Sequence, residues 1–286
     1  MSLITLTTDF GTKDHFVGAV KGAIYSELPD AKIVDITHEI SPFNITETAY
    51  ILKNSYKSFP KGTVHVIGVD SELSEENKHI ALELDGHYFV CPDNGIISMI
   101  VAEFKPTKIV EITIHDRIES SFPVLEVFVQ VACFIARGGN LTVIGREISE
   151  FKTIIEIQPK VNQSQDQIIG GIVYIDNYGN VITNISKKMF QEIGKGRNFE
   201  INAKKHKFTK VFSKYNEVAS NSAYSNQQYE GHKLAIFNSA NYIEIAIYRS
   251  NLDTVGGACS LLGLAYRDTV TINFINEPKQ EFTTLN

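Results

Sequence analysis

The sequence predicts an α/β domain with a mainly parallel sheet, followed by a smaller all-β, barrel-like domain. Up to about residue 150, short runs rich in β-branched residues alternate with amphipathic segments, which is typical of parallel α/β sheets. Several of these runs are apolar at successive positions, as strands covered on both faces are. After residue 167, strand-like runs are joined by Asn, Gly and Ser turns with little helical periodicity. We therefore assign 1–157 to the α/β domain, 158–167 to a polar linker and 168–286 to the β-barrel-like domain.

Strands and helices of the first domain follow from its pattern and its capping residues. Asp14 is suited to cap a first helix, and Asn44 with Glu47 resembles a capping box that opens a second one. A third helix is expected from Phe122 to Arg137, with Pro123 at its first turn. The expected strands are Leu3–Thr8, Lys32–Ile36, Thr63–Val69, Tyr88–Val90, Lys108–Ile112 and Leu141–Gly145.

The second domain is expected to be built from strands and turns. Lys204–Lys207 is a short basic run that we interpret as a solvated turn, and 213–231 is polar and is interpreted as a long surface loop. The expected strands are Ile168–Ile175, Val181–Ile185, Lys233–Phe237, Tyr242–Tyr248 and Thr269–Phe274.

Composition narrows the classes of partner. A net charge of −6 argues against nucleic acid, because neutralising phosphates needs a basic surface. Cys91, Cys133 and Cys259 lie far apart, which suggests neither a zinc ribbon nor a disulfide framework. Asp35 and His38 are too few for a metal site and are interpreted as a structural hydrogen bond. With no basic leader and no apolar run of about 20 residues, we expect a cytoplasmic protein without a membrane partner or a metal.

Four polar segments are candidates for chemistry. In Thr7–Gly11, Asp9 ends a strand at the edge where α/β sheets bind ligands, and it can accept both hydroxyls of a ribose; a simple turn explains it about as well. No GxGxxG or GxxxxGK[ST] motif accompanies it. Cys91–Gly95 and Phe237–Tyr242 are consistent with plain turns. Asp176–Asn180 has the groups to hold a zwitterion, with a hairpin turn as the alternative.

In this order the segments are specific, and the chain resembles the S-adenosylmethionine (SAM) hydroxide adenosyltransferases with their chlorinase and fluorinase relatives. The resemblance extends from the first strand to about Asn273. The matching segments are Thr7–Gly11 with Val17–Gly22, Ile33–His38, Gly62–Asp70, Tyr88–Gly95, Asp176–Asn180, and Asn238-Ser239 with Glu244–Ala246.

The resemblance implies an α/β domain followed by a β-barrel, assembled as homotrimers with SAM between one subunit's first domain and a neighbour's second. The implied reaction is displacement at the 5′ carbon with methionine leaving as a neutral thioether, so that no metal or other cofactor is needed. In-line placement and a partly desolvated nucleophile would supply the catalysis. By position, the implied ligand-binding residues are Asp9, Phe10, Phe43, Asp176, Tyr178, Asn180, Ser239, Ile247 and Arg249.

The residues that position water in the hydrolytic relatives are only partly present. Asp70 matches their Asp, but Asn77 stands at the Arg position and Pro123 at the His position. Lys78 and His79 are the candidates for replacing the Arg, and His115 is a remote candidate for the His. A halide site gains little support, since Ser121 is the nearest hydroxyl.

Three hypotheses follow. The first is a SAM hydrolase that gives adenosine and L-methionine, with Asp70 positioning or deprotonating water. The second is a catalytically impaired protein that binds SAM or adenosine, and the third is a trimeric scaffold whose pocket has decayed.

Overall fold

The computed structural model describes residues 2–101, 105–114, 120–155, 157–219 and 230–275. The chain divides into two compact units, Met1–Glu156 and Ile157–Asn286.

The first unit is built on a seven-stranded sheet in the order β2-β1-β3-β5-β4-β6-β7. The neighbours from β2 to β5 are parallel, whereas the pairs that involve β4, β6 and β7 are antiparallel. The α/β class is thus confirmed, with a mixed sheet in place of a mainly parallel one. The strands are β1 Leu3–Thr8, β2 Lys32–Thr37, β3 Val64–Gly68, β4 His79–Leu84, β5 His87–Pro92, β6 Lys108–Ile112 and β7 Gly145–Glu147.

Strand β4 makes the sheet mixed, because it turns directly into β5. Leu84 pairs with His87, and the two residues between them, Asp85 (φ 52°) and Gly86 (φ 76°), are both left-handed. Positive φ at both central residues defines the type I′ hairpin that Asp-Gly favours. The Asp85-Gly86 pair was a sequence signal for this hairpin.

Helices cover both faces of this sheet. Asn44 caps α2 as expected, since its side chain accepts the N–H of Glu47 (3.1 Å), whereas α1 begins at Phe16 after His15 and not at Asp14. One face buries a core that includes Leu6 and Phe128, and the other buries a second core around Leu82. The helices are α1 Phe16–Glu27, α2 Ile45–Ser55, α3 Ile96–Ile100 and α4 Val129–Ala136; a 3₁₀ turn covers Leu141–Val143, where a strand was expected.

The second unit is a barrel-like all-β sheet in the order β12-β11-β16-β9-β10-β15-β14-β13, with β8 beside β9. The all-β class is confirmed. Its strands are β8 Lys160–Val161, β9 Gln167–Ile175, β10 Val181–Ser186, β11 Asn198–Ala203, β12 His206–Phe208, β13 Val211–Phe212, β14 Lys233–Phe237, β15 Tyr242–Ile247 and β16 Thr269–Ile275, with helices α5 Lys187–Gly194 and α6 Ala258–Leu261.

Two predicted loop segments contain regular structure. Part of the expected linker pairs as β8 with β9, and Lys204 lies in a tight turn between β11 and β12. Of the expected loop 213–231, Tyr215–Ala219 forms a 3₁₀ turn and residues 220–229 lie outside the described residues. In the described part of the chain, no helix has the length and apolar character needed to cross a membrane.

Candidate active site

Asp9 follows β1 at the carboxyl edge of the parallel strands, where open α/β sheets bind ligands. Its carboxylate accepts the backbone N–H of Phe43, with 2.9 Å between N and Oδ2, and also that of Asp70. Burial raises the pKa of Asp9, and the charge of Asp70 raises it further against the lowering effect of these N–H groups. The edge therefore brings together one carboxylate from the end of β1 and one from the end of β3.

Both residues that donate to Asp9 have left-handed backbone conformations. Phe43 has φ 61° and Asp70 has φ 49°. A bulky residue in this region is an outlier, and such strained conformations concentrate at functional sites, where surrounding contacts hold them. The Phe43 side chain is 72% exposed, so its ring is available to a ligand or a neighbouring chain.

Polar contacts of the buried Thr8 and His38 fix the segment that carries Asp9. The Thr8 hydroxyl lies 2.8 Å from His38 Nδ1, and the other ring nitrogen lies 3.2 Å from Asp35 Oδ1. Burial raises the pKa of Asp35, but hydrogen bonds from Lys21 and His38 outweigh it and leave that pKa below its ordinary value. The His38 carbonyl also accepts the N–H of Gly11 (2.7 Å). Asp35 and His38 thus have structural hydrogen bonds, and these tie the loop after β2 to the segment after β1.

The loop that follows β3 is held closed by Asn77. Its side-chain amide donates to the carbonyls of Asp70 and Glu72, at 2.9 Å each, and its backbone exchanges hydrogen bonds with Ser74. Asn77 therefore contacts the backbone of Asp70, not its carboxylate, and the structure shows it as a brace for the loop.

The next two candidates, Lys78 and His79, directly follow Asn77 in the chain. Lys78 is half-buried, and its carbonyl accepts the N–H of Asp93 (2.6 Å). His79 begins β4 and is fully buried, with Nε2 2.9 Å from the Ser71 carbonyl and its ring edge-on to Phe128. The imidazole of His79 thus anchors the start of the Asp70 loop.

Three aromatic rings pack together around Phe10, the residue that follows Asp9. The rings of Phe10, Phe16 and Phe122 form a triangle with centroids 5.4–5.9 Å apart. Pro123 is buried, and the turn after it, Val124–Phe128, is a π-helical turn, a feature frequent at functional sites.

Val124, the first residue of this π-helical turn, packs tightly on β3. A Cβ added at Gly68 would lie 2.8 Å from Val124, so glycine is needed for the close approach. Ser121 is exposed, and His115 lies outside the described residues.

In the second unit, Asp176 organises the turn between β9 and β10. Its Oδ1 accepts the N–H groups of Tyr178 (2.9 Å) and Asn180 (2.8 Å), and its Oδ2 accepts the Asn180 side-chain amide (2.9 Å). Asn180 is 4% exposed, and among the described residues its Oδ1 has no hydrogen-bond partner. Tyr178 is 62% exposed, so this turn presents an aromatic face beside a buried acceptor.

The remaining ligand-binding candidates lie on or near β14 and β15. Ser239 is exposed in the turn that joins these strands, Ile247 is the buried last residue of β15, and Arg249 follows with φ 55°. The Arg249 guanidinium binds Glu230 at 2.7 Å.

Glu244 was missed by sequence reasoning as a site residue. It is 3% exposed in the middle of β15, and its carboxylate is electrostatically coupled to Asp176. A single charged residue inside the run Tyr-Ile-Glu-Ile-Ala-Ile was the available signal, because carboxylates are almost never fully buried without a partner.

Both units of the chain match domains of one known family. The N-terminal domain of the SAM hydroxide adenosyltransferases matches residues 4–145, and their C-terminal domain matches residues 170–271. The chain belongs to the SAM hydroxide adenosyltransferase family. The resemblance stated from the sequence is confirmed.

Relatives and solved structures agree with the family assignment. An (R)-S-adenosyl-L-methionine hydrolase from Methanocaldococcus jannaschii is 37% identical over 194 residues, which cover 65% of this chain and 68% of the relative. A fluorinase from an Actinoplanes species is 24% identical over 223 residues, covering 68% and 75%. A crystal structure of an uncharacterised conserved protein from Thermotoga maritima superposes with a TM-score of 0.80 at 27% identity, covering 95% of this chain and 99% of the other.

Within the described residues, no group of three or more His, Cys, Asp or Glu side chains is placed to hold a metal. The comparisons give no support to the catalytically impaired alternative, since the similar proteins are named as hydrolases and fluorinases.

Proposed function

We propose that this protein hydrolyses SAM to adenosine and L-methionine by attack of water on the 5′ carbon. The observation that carries the proposal is the Asp9 carboxylate, held by the N–H groups of Phe43 and Asp70 at the carboxyl edge of a family-matched sheet. The relative that is 37% identical is named an (R)-SAM hydrolase.

The proposed roles follow from the geometry. Asp9 receives the ribose hydroxyls, because backbone N–H groups of Phe43, Asp70 and Asp9 itself fix its half-buried carboxylate. Asp70 positions the water: the oxygen forms a bond to C5′, the C5′–S bond breaks, and its electron pair neutralises the sulfonium. The released proton passes to Asp70 or to solvent. General-base assistance of this kind contributes about 10²–10⁴-fold.

The other candidates act around these two. Asn77 and His79 are proposed as positioning residues, because both bind the backbone of the loop that carries Asp70. Lys78 is proposed as the cation in place of the relatives' Arg. Phe10 and Phe43 are proposed to line the nucleoside site.

The second unit would hold the rest of SAM. Asp176, Asn180 and Ser239 are proposed to bind the amino-acid end, Tyr178 to pack on the adenine, and the backbone near Ile247 and Arg249 to read the adenine edge. No metal or further cofactor is proposed.

A turnover assay tests this function. Adenosine and methionine are quantified by chromatography after incubation with SAM, for the wild-type protein and for Asp70→Ala. We expect equimolar products and a loss of about 10²–10⁴-fold in kcat for the variant. Glu72→Gln, an exposed carboxylate in the same loop, is the matched control and should retain activity. Unchanged turnover in Asp70→Ala would refute the role of Asp70.

We also propose a cytoplasmic homotrimer in which each site is completed by a neighbouring subunit. The 72% and 62% exposure of Phe43 and Tyr178 supports this, since a ligand site normally buries its aromatic residues. Mixing Asp9→Asn with Asp176→Asn chains after co-refolding should restore about a quarter of the sites, because one chain supplies an intact first unit and the other an intact second unit. The assay uses a SAM concentration at which each variant alone has little activity, and no recovery in the mixture would contradict a shared site.

A further inference from the structure

The carboxylate of Glu244 is buried in an apolar strand. Glu244 is 3% exposed, and its neighbours Ile243 and Ile245 are fully buried. A carboxylate in such surroundings is costly unless it is hydrogen-bonded or paired with a cation. The hydrogen bonds and charges around Glu244 therefore indicate its role.

Hydrogen bonds connect Glu244 with two separate segments. The Tyr215 hydroxyl, from the 3₁₀ turn Tyr215–Ala219, donates to Oε1 at 2.6 Å. The Asn238 side chain also bonds to the carboxylate. Asn238 Oδ1 in turn accepts the N–H groups of Ala240 (3.0 Å) and Tyr242 (3.1 Å) and so shapes the turn that carries Ser239.

Glu244 also lies within electrostatic range of Asp176, whose charge, together with burial, raises the pKa of Glu244 against the effect of Tyr215 and Asn238. Beside Asp176, the buried Oδ1 of Asn180 has no donor among the described residues. Both carboxylates accept hydrogen bonds from nearby groups, yet this one cluster contains two acidic groups and an unpaired amide oxygen. A ligand that brings several N–H donors and a positive charge would satisfy it.

We propose that Glu244 is a positioning and specificity residue for a ligand's primary ammonium group. It holds the Asn238–Tyr242 turn in place, and its carboxylate adds to that of Asp176 in favouring a cation. This inference rests on the proposed function, in which the ligand is SAM and its α-ammonium lies at Asp176.

Glu244→Gln separates this role from a structural one, because glutamine keeps the shape and loses the charge. Binding of SAM and of adenosine, which lacks the amino-acid end, is measured by calorimetry on the full chain. We expect the Kd for SAM to rise about tenfold, as for one lost charge-assisted contact, while the Kd for adenosine stays within about twofold. In turnover, KM for SAM should rise and kcat should change little, since the ammonium is remote from C5′.

Two further variants complete the test. Glu200→Gln removes a carboxylate on β11 that binds Lys207, and should leave both affinities unchanged. Tyr215→Phe removes only the donor to Glu244 and should weaken SAM binding selectively, to a smaller extent; it also serves if Glu244→Gln does not fold.

The outcomes separate failure of the inference from failure of the function. Equal loss of SAM and adenosine affinity in Glu244→Gln would overturn the ammonium role and leave a structural one. Wild-type affinity for SAM in that variant would overturn it as well. If the wild-type protein binds neither SAM nor adenosine, the proposed function fails and this inference fails with it.

Discussion

Acid should weaken the first unit through His65, a fully buried imidazole on β3. Its Nδ1 lies 2.7 Å from the Thr5 hydroxyl and its Nε2 lies 3.2 Å from His87 Nδ1, while its ring stacks on Phe89. Burial, assisted by the charge of His87 when protonated, lowers the pKa of His65 to about 3. The His65 imidazole therefore binds a proton more weakly in the folded state than in the unfolded chain.

The magnitude follows from the two pKa values. The unfolded imidazole has its ordinary pKa of 6.5, and the folded one has a pKa of about 3. Between these values the unfolded state binds more protons than the folded state. The contribution of His65 to the free energy of unfolding is therefore fully present above pH 6.5 and is lost as the pH falls. At about pH 5 the loss from His65 is ~1.36 × 1.5, or about 2 kcal/mol. The pKa of His87 is lowered by burial too, which acts in the same direction.

Urea unfolding followed by far-ultraviolet circular dichroism at about pH 7.5 and pH 5 measures this effect, because helices α1 to α4 of the first unit dominate the signal. Comparing wild type with His65→Gln isolates the one imidazole, since every other titrating group is shared. The fall in unfolding free energy between the two pH values should be smaller by about 2 kcal/mol in the variant. An equal fall in both proteins, or an NMR titration of His65 near pH 6.5 in the folded state, would refute the reasoning.

Three further changes test the first unit. Asp9→Asn should raise KM for SAM by about 10–100-fold, because a neutral amide binds ribose hydroxyls less well. In the wild-type protein, affinity for SAM should be lost as the pH falls through the raised pKa of Asp9. A KM that changes neither in the variant nor with pH would contradict the ribose role. Asn77→Ala removes the amide that binds the Asp70 and Glu72 carbonyls, so the free energy of unfolding should fall by about 1–3 kcal/mol and kcat should fall with it. Unchanged denaturation and kinetics would show that these hydrogen bonds are not needed to hold the loop. Gly68→Ala forces a methyl group against the neighbouring helix and should cost about 1–3 kcal/mol in thermal unfolding, whereas a neutral effect would mean that the helix start shifts freely.

Patterns local to a few residues predicted much of this fold. Strands β1 and β3 are buried at nearly every position, and the Asn44 cap with Glu47 follows from side-chain geometry alone. The Asp85-Gly86 hairpin was equally local and was overlooked, which is why the antiparallel half of the sheet was not predicted. Strands β11 to β13 carry alternating polar residues on short segments, where periodicity is weakest.

The candidate site residues were chosen from their positions in the chain, but the contacts between them could not be predicted. Asp9 was selected from its place at the end of a strand, yet its bonds to the N–H groups of Phe43 and Asp70 depend on strands that lie far apart in sequence. Likewise, Asn77 was considered only as a residue at the position that the resemblance gives to an Arg, and the tertiary structure shows that its amide binds the backbone of its own loop. Glu244 was not predicted as a site residue, because its interactions with Tyr215 and Asp176 depend on the tertiary structure.

The most direct test of the central claim is the fate of the water oxygen. The protein is incubated with SAM in water enriched in oxygen-18, and the adenosine formed is analysed by mass spectrometry with fragmentation of the ribose. Attack of water on C5′ predicts one oxygen-18 atom per adenosine, located on the 5′ carbon, together with unlabelled methionine. Adenosine without the label, or no adenosine under conditions in which SAM is bound, would contradict hydrolysis at this site.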